Sequence, residues 1–421
     1  MKFLFKKNIY LDHAGATPID NKVFKKMALY EREFFANPSA IYESGVKVRN
    51  IIEENRSKIA KSINAHNDEI IITGSGTESD ALAIMGVVLD WRNKNNKKIP
   101  HIITTQIEHP AILENCRLLE ERGEAEVTYV RVDKEGIVDL EELKDSLKEN
   151  TVLVSVMYAN NEIGTIQPIQ EIAKIIRHFR KEKIATRGQT SDSFEVRPLS
   201  IFPLFHTDAS QAMNYLYTEN IEKLGVDLMS FNSSKIYGPK GIGILFKKRN
   251  VNLSPLYAGG GQEYGLRSGT ESVSLIVGIR EALDITNKIK QQEIERLTKI
   301  RDYGIKKLLK LSEDTGYKII LNGSKTERLP NNINISISGI SSELLVIELS
   351  ALGISVSEKS ACHSTDDNSS YVIKAIRKIC KKGDEEEGSL RISLGRKTTK
   401  GDMSILASSI KAILGKYKKW K

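Results

Sequence analysis

The chain has 421 residues, of which 40 % are hydrophobic and 28 % are charged. This length allows a large core and two domains, and the composition is ordinary for a soluble globular protein. The net charge of +9 comes mostly from lysines scattered along the chain. Scattered charge is typical of a solvated surface, so we expect no direct nucleic-acid partner.

The three cysteines, Cys116, Cys362 and Cys380, lack the spacing of a disulfide framework, which indicates a reducing compartment. The beginning of the sequence lacks the apolar segment of a signal peptide, and no run of residues is apolar enough to cross a bilayer. We therefore expect a cytoplasmic protein without a membrane partner.

From about residue 68, short β-branched runs alternate with segments of helical period, such as "EIIITGSG" followed by "TESDALAIMGVVLDW". This alternation predicts an α/β fold whose large domain has a mostly parallel sheet flanked by helices. In such sheets ligands bind at the carboxyl ends of the strands. The polar clusters of the sequence follow the predicted strands at these positions: "GSGTESD", "EHP", "ANNEIG", "TDASQ" and "NSSK".

The pattern changes after about residue 265, where a long charged helix precedes further strands and helices. We predict a large domain over residues 14–264, which carries the ligand site, and a smaller α/β domain formed by residues 1–13 and 265–421. The polar segment 181–203 has no sustained period and is predicted to be an inserted loop. The last helix begins at "TKGD", which has the spacing of a capping box.

The segment "EIIITGSGTESDALAI" predicts a strand, a glycine-rich turn and a helix. Free N–H groups at a helix N-terminus bind anions, and Gly74 and Gly76 leave room for a close approach. The spacing of Thr77 and Asp80 is that of a capping box. The alternative is a tight turn between strand and helix without a ligand.

Lys235 follows the apolar run "VDLMSF", which predicts a buried strand. Desolvation at a strand end would lower the pKa of the amine and allow it to condense with a carbonyl group. The alternative is a lysine whose side chain extends to the surface. Asp208 favours the first interpretation, because pyridoxal phosphate needs a carboxylate against its ring nitrogen.

With these residues in place, the sequence resembles the cysteine desulfurases of the class V aminotransferase group, which are pyridoxal-phosphate enzymes of fold type I. The resemblance extends nearly from end to end of the chain. The motifs that carry it are "YLDHAGATP", "FANPSA", "SGTESD", "IEHPAI", "ANNEIG", "HTDASQ", "SKIYGPKGIG", "GGGQEYGLRSGT", "SACHS" and "RISLGR".

The resemblance implies that Lys235 holds the cofactor aldehyde, that Asp208 pairs with the ring nitrogen, and that His109 stacks on the ring and assists proton transfer. The other implied cofactor contacts are Gln211, Asn161, Gly76, Thr77, Ser233, Ser234 and Thr270, the last reaching the phosphate of the second subunit of a homodimer. The implied contacts of the substrate, L-cysteine, are Arg391 with its carboxylate, Asn161 and Asn37.

Cys362 lies in a polar segment that is predicted to be a mobile loop, about residues 357–370. The resemblance implies that its thiolate takes sulfur from L-cysteine as a persulfide while L-alanine leaves. The implied acceptors are an iron–sulfur scaffold protein or a carrier for tRNA thiolation. Cys362 could ligate a metal cluster only transiently, and no other metal ligand is expected. A small buried cysteine is the alternative, which fits Cys116 and Cys380 better.

The sequence departs from the usual family pattern at Ser234, where a histidine is common, and at Asn232, where a serine is common. Three other functions remain open at this point. A selenocysteine lyase or another class V enzyme would share Lys235 and Asp208 but would not need Cys362. A non-catalytic sulfur-relay protein would release no alanine, and an RNA-binding protein would show salt-sensitive binding.

Overall fold

The computed structural model describes residues 8–188, 202–358, 370–377 and 389–418. The strands in these ranges are β1 (Ile9–Tyr10), β2 (Ile70–Thr73), β3 (His101–Thr105), β4 (Glu126–Val130), β5 (Thr151–Ser155), β6 (Leu204–Asp208), β7 (Leu228–Asn232), β8 (Gly243–Lys247), β9 (Ile319–Leu321), β10 (Asn332–Ile337), β11 (Ile354–Ser355) and β12 (Ser389–Ser393). The α-helices are α1 (Asn21–Glu33), α2 (Glu43–Ser62), α3 (Gly76–Lys94), α4 (Pro110–Glu121), α5 (Leu140–Asp145), α6 (Ile169–Gly188), α7 (Ile221–Leu224), α8 (Val273–Thr315), α9 (Ser342–Ala351), α10 (Tyr371–Arg377) and α11 (Lys400–Lys418).

The larger sheet has seven strands in the order β2-β8-β7-β6-β5-β3-β4. All neighbouring pairs are parallel except the two made by β8, which is antiparallel to β2 and β7. Its central strands are rich in Val, Leu and Phe and are buried along nearly their whole length, as in a sheet covered on both faces. The α/β fold expected from the sequence is confirmed.

Alternating residues of these strands enter two apolar clusters on opposite faces of the sheet. Ile70 and Ile72 pack with residues of α2, α6 and α8, whereas Ile71 packs with residues of α3 and α4. This follows from the two-residue period of a strand, which sends successive side chains to opposite faces. The parallel strands β3, β5, β6 and β7 therefore end at one shared edge, between the two helical layers.

The smaller sheet consists of β12, β10 and β9, which are antiparallel, and a short parallel pair joins β1 to β11. It has its own apolar cluster with α9 and α11. The helix α8 contacts α1 and α2 near its beginning and α11 near its end, so it links this cluster to the larger sheet. The division of the chain into two domains remains a prediction.

Two local predictions can be compared with the structure. The capping box at the start of α11 is confirmed, because Thr399 and Asp402 exchange hydrogen bonds between side chain and backbone. The prediction of a loop over residues 181–203 is wrong for residues 181–188, because α6 continues to Gly188 through "KEKIAT", whose lysine, glutamate and alanine favour helices. Residues 189–201 lie outside the described ranges. Among the described helices, none is long and apolar enough to cross a membrane.

A buried ion pair fixes the segment around Glu263 to the edge of the larger sheet. The guanidinium of Arg56, on α2, donates two hydrogen bonds of 2.7 Å to the carboxylate of Glu263, and the side chains are 4 % and 2 % exposed. Arg56 also donates to the carbonyl of Ile70, and Glu263 accepts from the N–H of Ile72. The pair therefore connects α2, β2 and the segment that precedes α8.

We expect Glu263→Gln to lower the free energy of unfolding by about 3 kcal/mol, because it leaves the buried charge of Arg56 without its counterion. Urea unfolding followed by circular dichroism measures the loss. The matched control is Asp68→Asn, which breaks an ion pair with Arg249 whose side chains are about half exposed, and its effect should be much smaller. Equal losses for the two variants would contradict this role of the buried pair.

Candidate active site

A cavity of about 440 Å³ opens at the carboxyl ends of the parallel strands. It lies at the edge of the sheet where the sequence predicted the ligand site. Polar residues from both sheets line it. Nine of the residues singled out from the sequence are among them: Gly76, Thr77, His109, Asn161, Asp208, Gln211, Ser234, Lys235 and Arg391.

Lys235 follows β7 on a single helical turn, Ser233–Lys235. Its side chain is half-buried in the cavity wall, and Nζ donates a hydrogen bond to the carbonyl of Gly15. Asn214 donates to the carbonyl of Lys235 at 2.6 Å, which holds the backbone of this turn. The amine is therefore directed into the cavity wall by the fold, whereas most lysines extend into solvent.

Asp208 is the last residue of β6 and is 8 % exposed. Its Oδ1 accepts a hydrogen bond of 2.8 Å from the N–H of Ser210, which orients the carboxyl group toward the cavity floor. β6 and β7 are parallel and pair Asp208 with Ser230. This register places the carboxylate on the strand adjacent to the one that leads to Lys235.

The N-terminus of α3 forms another wall. Ser75 is its N-cap and accepts a hydrogen bond from the N–H of Glu78, so the helix begins two residues earlier than the spacing of Thr77 and Asp80 predicted. A Cβ atom at Gly76 would lie 2.7 Å from Nδ2 of Asn232, so any other residue there would have to displace the side chain of Asn232. The N–H groups of this first turn form the kind of site that binds an anion.

His109 is the N-cap of α4, and its Nδ1 accepts a hydrogen bond of 3.1 Å from the N–H of Ala111. An acceptor nitrogen cannot carry a proton, so the neutral ring has its proton on Nε2. Pro110 occupies the first position of the helix and fixes the backbone there. The imidazole at the cavity wall is thus oriented by the start of a helix.

Arg391, on β12 of the smaller sheet, forms the opposite wall and is 2 % exposed. It pairs with Oδ1 of Asp12 at 2.8 Å and donates to the carbonyl of Asn161 at 3.2 Å. Among the described residues, Nε of Arg391 and Oδ1 of Asn161 have no hydrogen-bond partner although both are buried. Buried polar atoms without partners at a cavity wall are typical of a binding site.

Three of the predicted site residues lie elsewhere, and a fourth cannot be placed. Ser233 does not line the cavity, because the helical turn directs its fully buried side chain toward Gly238. Asn37 is exposed, and its Oδ1 accepts a hydrogen bond from the N–H of Ser39. Thr270 lines a separate pocket beside Arg267 and Glu271. Cys362 lies outside the described residues.

The neighbours of Ser233 take its place in the cavity wall. Nδ2 of Asn232 donates to Oγ of Ser210 at 3.3 Å, and Oγ of Ser234 donates to Oδ1 of Asn232 at 2.8 Å. In the sequence, Asn232 stood out only as a departure from the family pattern. Its position directly after a strand was the signal that could have marked it as a cavity residue.

Sequence reasoning also missed a set of buried ionisable groups next to Asp208. Burial raises the pKa of Glu108 to about 8 and lowers the pKa of His206 to about 3. Burial and the negative charge of Asp208 raise the pKa of Asp80. In the described part of the chain, no group of three or more His, Cys, Asp or Glu side chains is arranged to bind a metal ion.

Comparisons with known proteins agree with the motifs quoted above. The family model described as "Aminotransferase class-V" matches residues 9–186 and 203–406. A relative named "Cysteine desulfurase IscS", from Dictyoglomus turgidum, is 40 % identical over 98 % of this chain and 96 % of its own length.

Solved structures give the same result. A NifS-like protein has a TM-score of 0.83 and 32 % identity, covering 97 % of this chain and 99 % of its own. A structure described as SspA in complex with cysteine has a TM-score of 0.71 and 29 % identity, covering 92 % of this chain and 98 % of its own.

The low pKa of His206 predicts that acid destabilises the protein. The pKa of His206 is about 3 in the folded protein and about 6.5 in the unfolded chain. Between these two values the unfolded chain binds a proton that the folded protein does not bind. The unfolding free energy is therefore highest above a pH of about 6.5 and falls as the pH is lowered. We expect this histidine to account for about 2 to 3 kcal/mol of the loss in unfolding free energy between pH 7.5 and pH 4.5.

His206→Gln should therefore make the unfolding free energy depend less on pH in this interval, although the variant is less stable at pH 7.5. Urea unfolding at the two pH values measures the difference. His178→Gln, at an exposed position of α6, is the control for replacing a histidine outside the core. The same acid dependence in His206→Gln and the unaltered protein would refute the prediction.

Proposed function

The chain belongs to the class V aminotransferase family, and from this premise we propose that it is a cysteine desulfurase. It is a pyridoxal-phosphate-dependent enzyme that removes sulfur from L-cysteine and releases L-alanine. The observation that carries the proposal is the single cavity that contains Lys235, Asp208 and Arg391. An amine, a carboxylate and a guanidinium around one cavity suit an aldehyde cofactor with a ring nitrogen and an amino-acid substrate.

The residues of the cavity fit pyridoxal phosphate. Its volume, about 440 Å³, lies in the range of small-molecule sites. The N-terminus of α3, with Gly76 and Thr77, suits the phosphate, and Asp208 suits the ring nitrogen. Gln211, whose Nε2 donates to the carbonyl of Ala14 at 3.1 Å, forms part of the same wall. When bound, the cofactor supplies an electron sink for the carbon from which a proton is removed.

The protein groups then have separate tasks. Lys235 would hold the aldehyde and later accept the α-proton of cysteine at Nζ. Asp208 would keep the ring nitrogen protonated, because its carboxylate is nearly buried and already oriented by Ser210. His109, whose neutral ring carries its proton on Nε2, would stack on the ring and move a proton at that atom.

Arg391 would bind the carboxylate of L-cysteine. The guanidinium is buried and is held by Asp12 and the carbonyl of Asn161, so its orientation is fixed before the substrate arrives. A buried arginine with an unused donor also offers a strong, charge-assisted hydrogen bond to a carboxylate. The substrate would then lie between the larger sheet and β12.

Cys362 would receive the sulfur. Its thiolate attacks Sγ of the substrate, so that an S–S bond forms while the Cβ–Sγ bond breaks. The electron pair stays with the carbon skeleton, which takes up a proton and leaves as L-alanine. The persulfide would pass to an acceptor, such as an iron–sulfur scaffold protein or a tRNA-thiolation carrier.

The cellular form of the enzyme is also part of the proposal. We expect a cytoplasmic homodimer in which Thr270, from the segment before α8, reaches the phosphate in the second subunit. In this chain Thr270 lines a pocket of about 170 Å³ outside the cavity. A role for Thr270 toward the cofactor therefore requires a second copy of the chain.

Incubation with L-cysteine and a reductant tests the function. The cofactor-loaded protein should release alanine and sulfide in equal amounts. Lys235→Ala should reduce both by at least about 100-fold, because the group that accepts the α-proton is missing. No alanine from the unaltered, cofactor-loaded protein would overturn the proposal.

Cys362→Ser should abolish the persulfide and the release of sulfide, whereas Cys380→Ser is the matched control and should keep both. Mass spectrometry of the intact protein after cysteine treatment detects the added sulfur atom. If Cys362→Ser kept full sulfur release, the chain would instead act as a lyase that needs no protein thiol.

Arg391→Lys should raise KM for L-cysteine by about 10- to 100-fold with a smaller effect on kcat, because an ammonium group cannot replace the planar guanidinium. Steady-state kinetics separate the two constants. Arg396→Lys is the control: this arginine pairs with Asp20 and stacks on Tyr237, and it does not line the cavity. Equal KM changes in both variants would contradict the assignment of Arg391.

A further inference from the structure

Asp80 lies in the second turn of α3 and lines the floor of the cavity. It is 2 % exposed. The capping box that the sequence predicted from Thr77 and Asp80 is not formed, because Ser75 caps the helix and Asp80 lies inside it. An aspartate inside a helix and away from water needs another reason to be there, since burial of a carboxyl group without partners costs free energy.

The surroundings of Asp80 do not favour a charged carboxylate. Among the described residues, its Oδ1 has no hydrogen-bond partner. Nε2 of His206 is 3.7 Å away, beyond hydrogen-bond distance. The hydroxyl of Ser230 forms a hydrogen bond with the carboxyl group, and the two ionisable groups that raise its pKa, Asp208 and Glu108, are both acids.

His206 cannot provide the missing positive charge. Its Nδ1 is 2.9 Å from Oγ of Ser155, and its Nε2 is 2.9 Å from Oγ of Ser230, so both nitrogens have neutral hydroxyl partners. The ring is fully buried on β6, and burial keeps it neutral by lowering its pKa to about 3. The residues around Asp80 from β6, β7 and the turn after β3 therefore offer hydroxyls, a neutral imidazole and two acids.

We propose that Asp80 is a positioning residue of the cofactor site: it remains a neutral carboxylic acid and leaves Asp208 as the single negative charge beside the ring nitrogen. A neutral Asp80 can also donate its proton to the hydroxyl of Ser230, which in turn can donate to Nε2 of His206. The buried residues Asp80, Ser230, His206 and Ser155 would then form one row of hydrogen bonds with a fixed direction.

The consequence for the enzyme concerns charge balance. One carboxylate neutralises one protonated ring nitrogen, whereas two adjacent carboxylates would repel each other and would both need compensation in a site with little water. Burial and the charge of Asp208 raise the pKa of Asp80, which agrees with this arrangement. The inference rests on the proposed function, because it assigns Asp80 a task toward the same cofactor.

Infrared spectroscopy of the full-length protein tests the protonation state without an activity assay. At neutral pH the carbonyl band of a protonated aspartic acid should be present with cofactor bound and after its removal. Labelling the aspartates with carbon-13 at the side-chain carboxyl should shift this band, which separates it from a protonated Glu108. The band should be lost in Asp80→Asn and kept in Glu108→Gln.

A second readout uses the absorbance of the bound cofactor. Asp80→Asn replaces a neutral group by a neutral group. The pH at which the absorbance change of the bound cofactor is half complete should therefore be the same in this variant and in the unaltered protein. A charged Asp80 would instead shift the midpoint in this variant, because one negative charge would be removed.

Two outcomes would overturn the proposal: the absence of an aspartic-acid band in the unaltered protein, or a band that persists in Asp80→Asn. The measurement on unaltered, labelled protein requires no variant to fold. It also requires no cysteine turnover, so a failure of the desulfurase assay and a failure of this inference are separate results.

Discussion

The parallel pairing of β6 with β7 is the constraint on which the site depends. In this register Asp208 pairs with Ser230. The chain therefore leaves β7 and turns at Lys235 beside the carboxyl end of β6. A slip of one residue would send every side chain of the strand to the opposite face of the sheet. The carboxylate and the amine would then no longer share a cavity, and the neighbouring N-terminus of α3 would face neither of them.

The guanidinium of Arg391 reaches the cavity from the smaller sheet, whereas Asp208 and Lys235 lie at the edge of the larger one. Arg391 belongs to the smaller sheet, and its pair with Asp12 links β12 to the segment after β1. The helix α8 packs against both apolar clusters and so limits how far β12 can move from the larger sheet. The proposed recognition of a substrate carboxylate by Arg391 would therefore depend on contacts between segments that are far apart in the sequence.

Local patterns predicted the fold well and the orientation of single side chains less well. The alternation of apolar runs and helical periods was sufficient for the α/β class, and strand ends marked Asp208 and Lys235. The same capping-box spacing occurs at Thr399–Asp402, where it is formed, and at Thr77–Asp80, where it is not. The difference is burial: α3 starts earlier, at Ser75, and packs Asp80 against the sheet. The family resemblance implied that Ser233 contacts the cofactor, yet the turn there directs its side chain inward.

The sequence alone determined the α/β class, the family resemblance and the chemical identity of the groups at the strand ends, because these follow from residue type and short-range spacing. Only the tertiary structure decided that Arg391 closes the cavity, that Asn232 and Ser234 line it in place of Ser233, and that Asp80 lies buried with acids near it. These facts depend on which surfaces exclude water and which groups are brought together by packing. Burial and charge proximity are properties of the folded chain and have no local signature in the sequence.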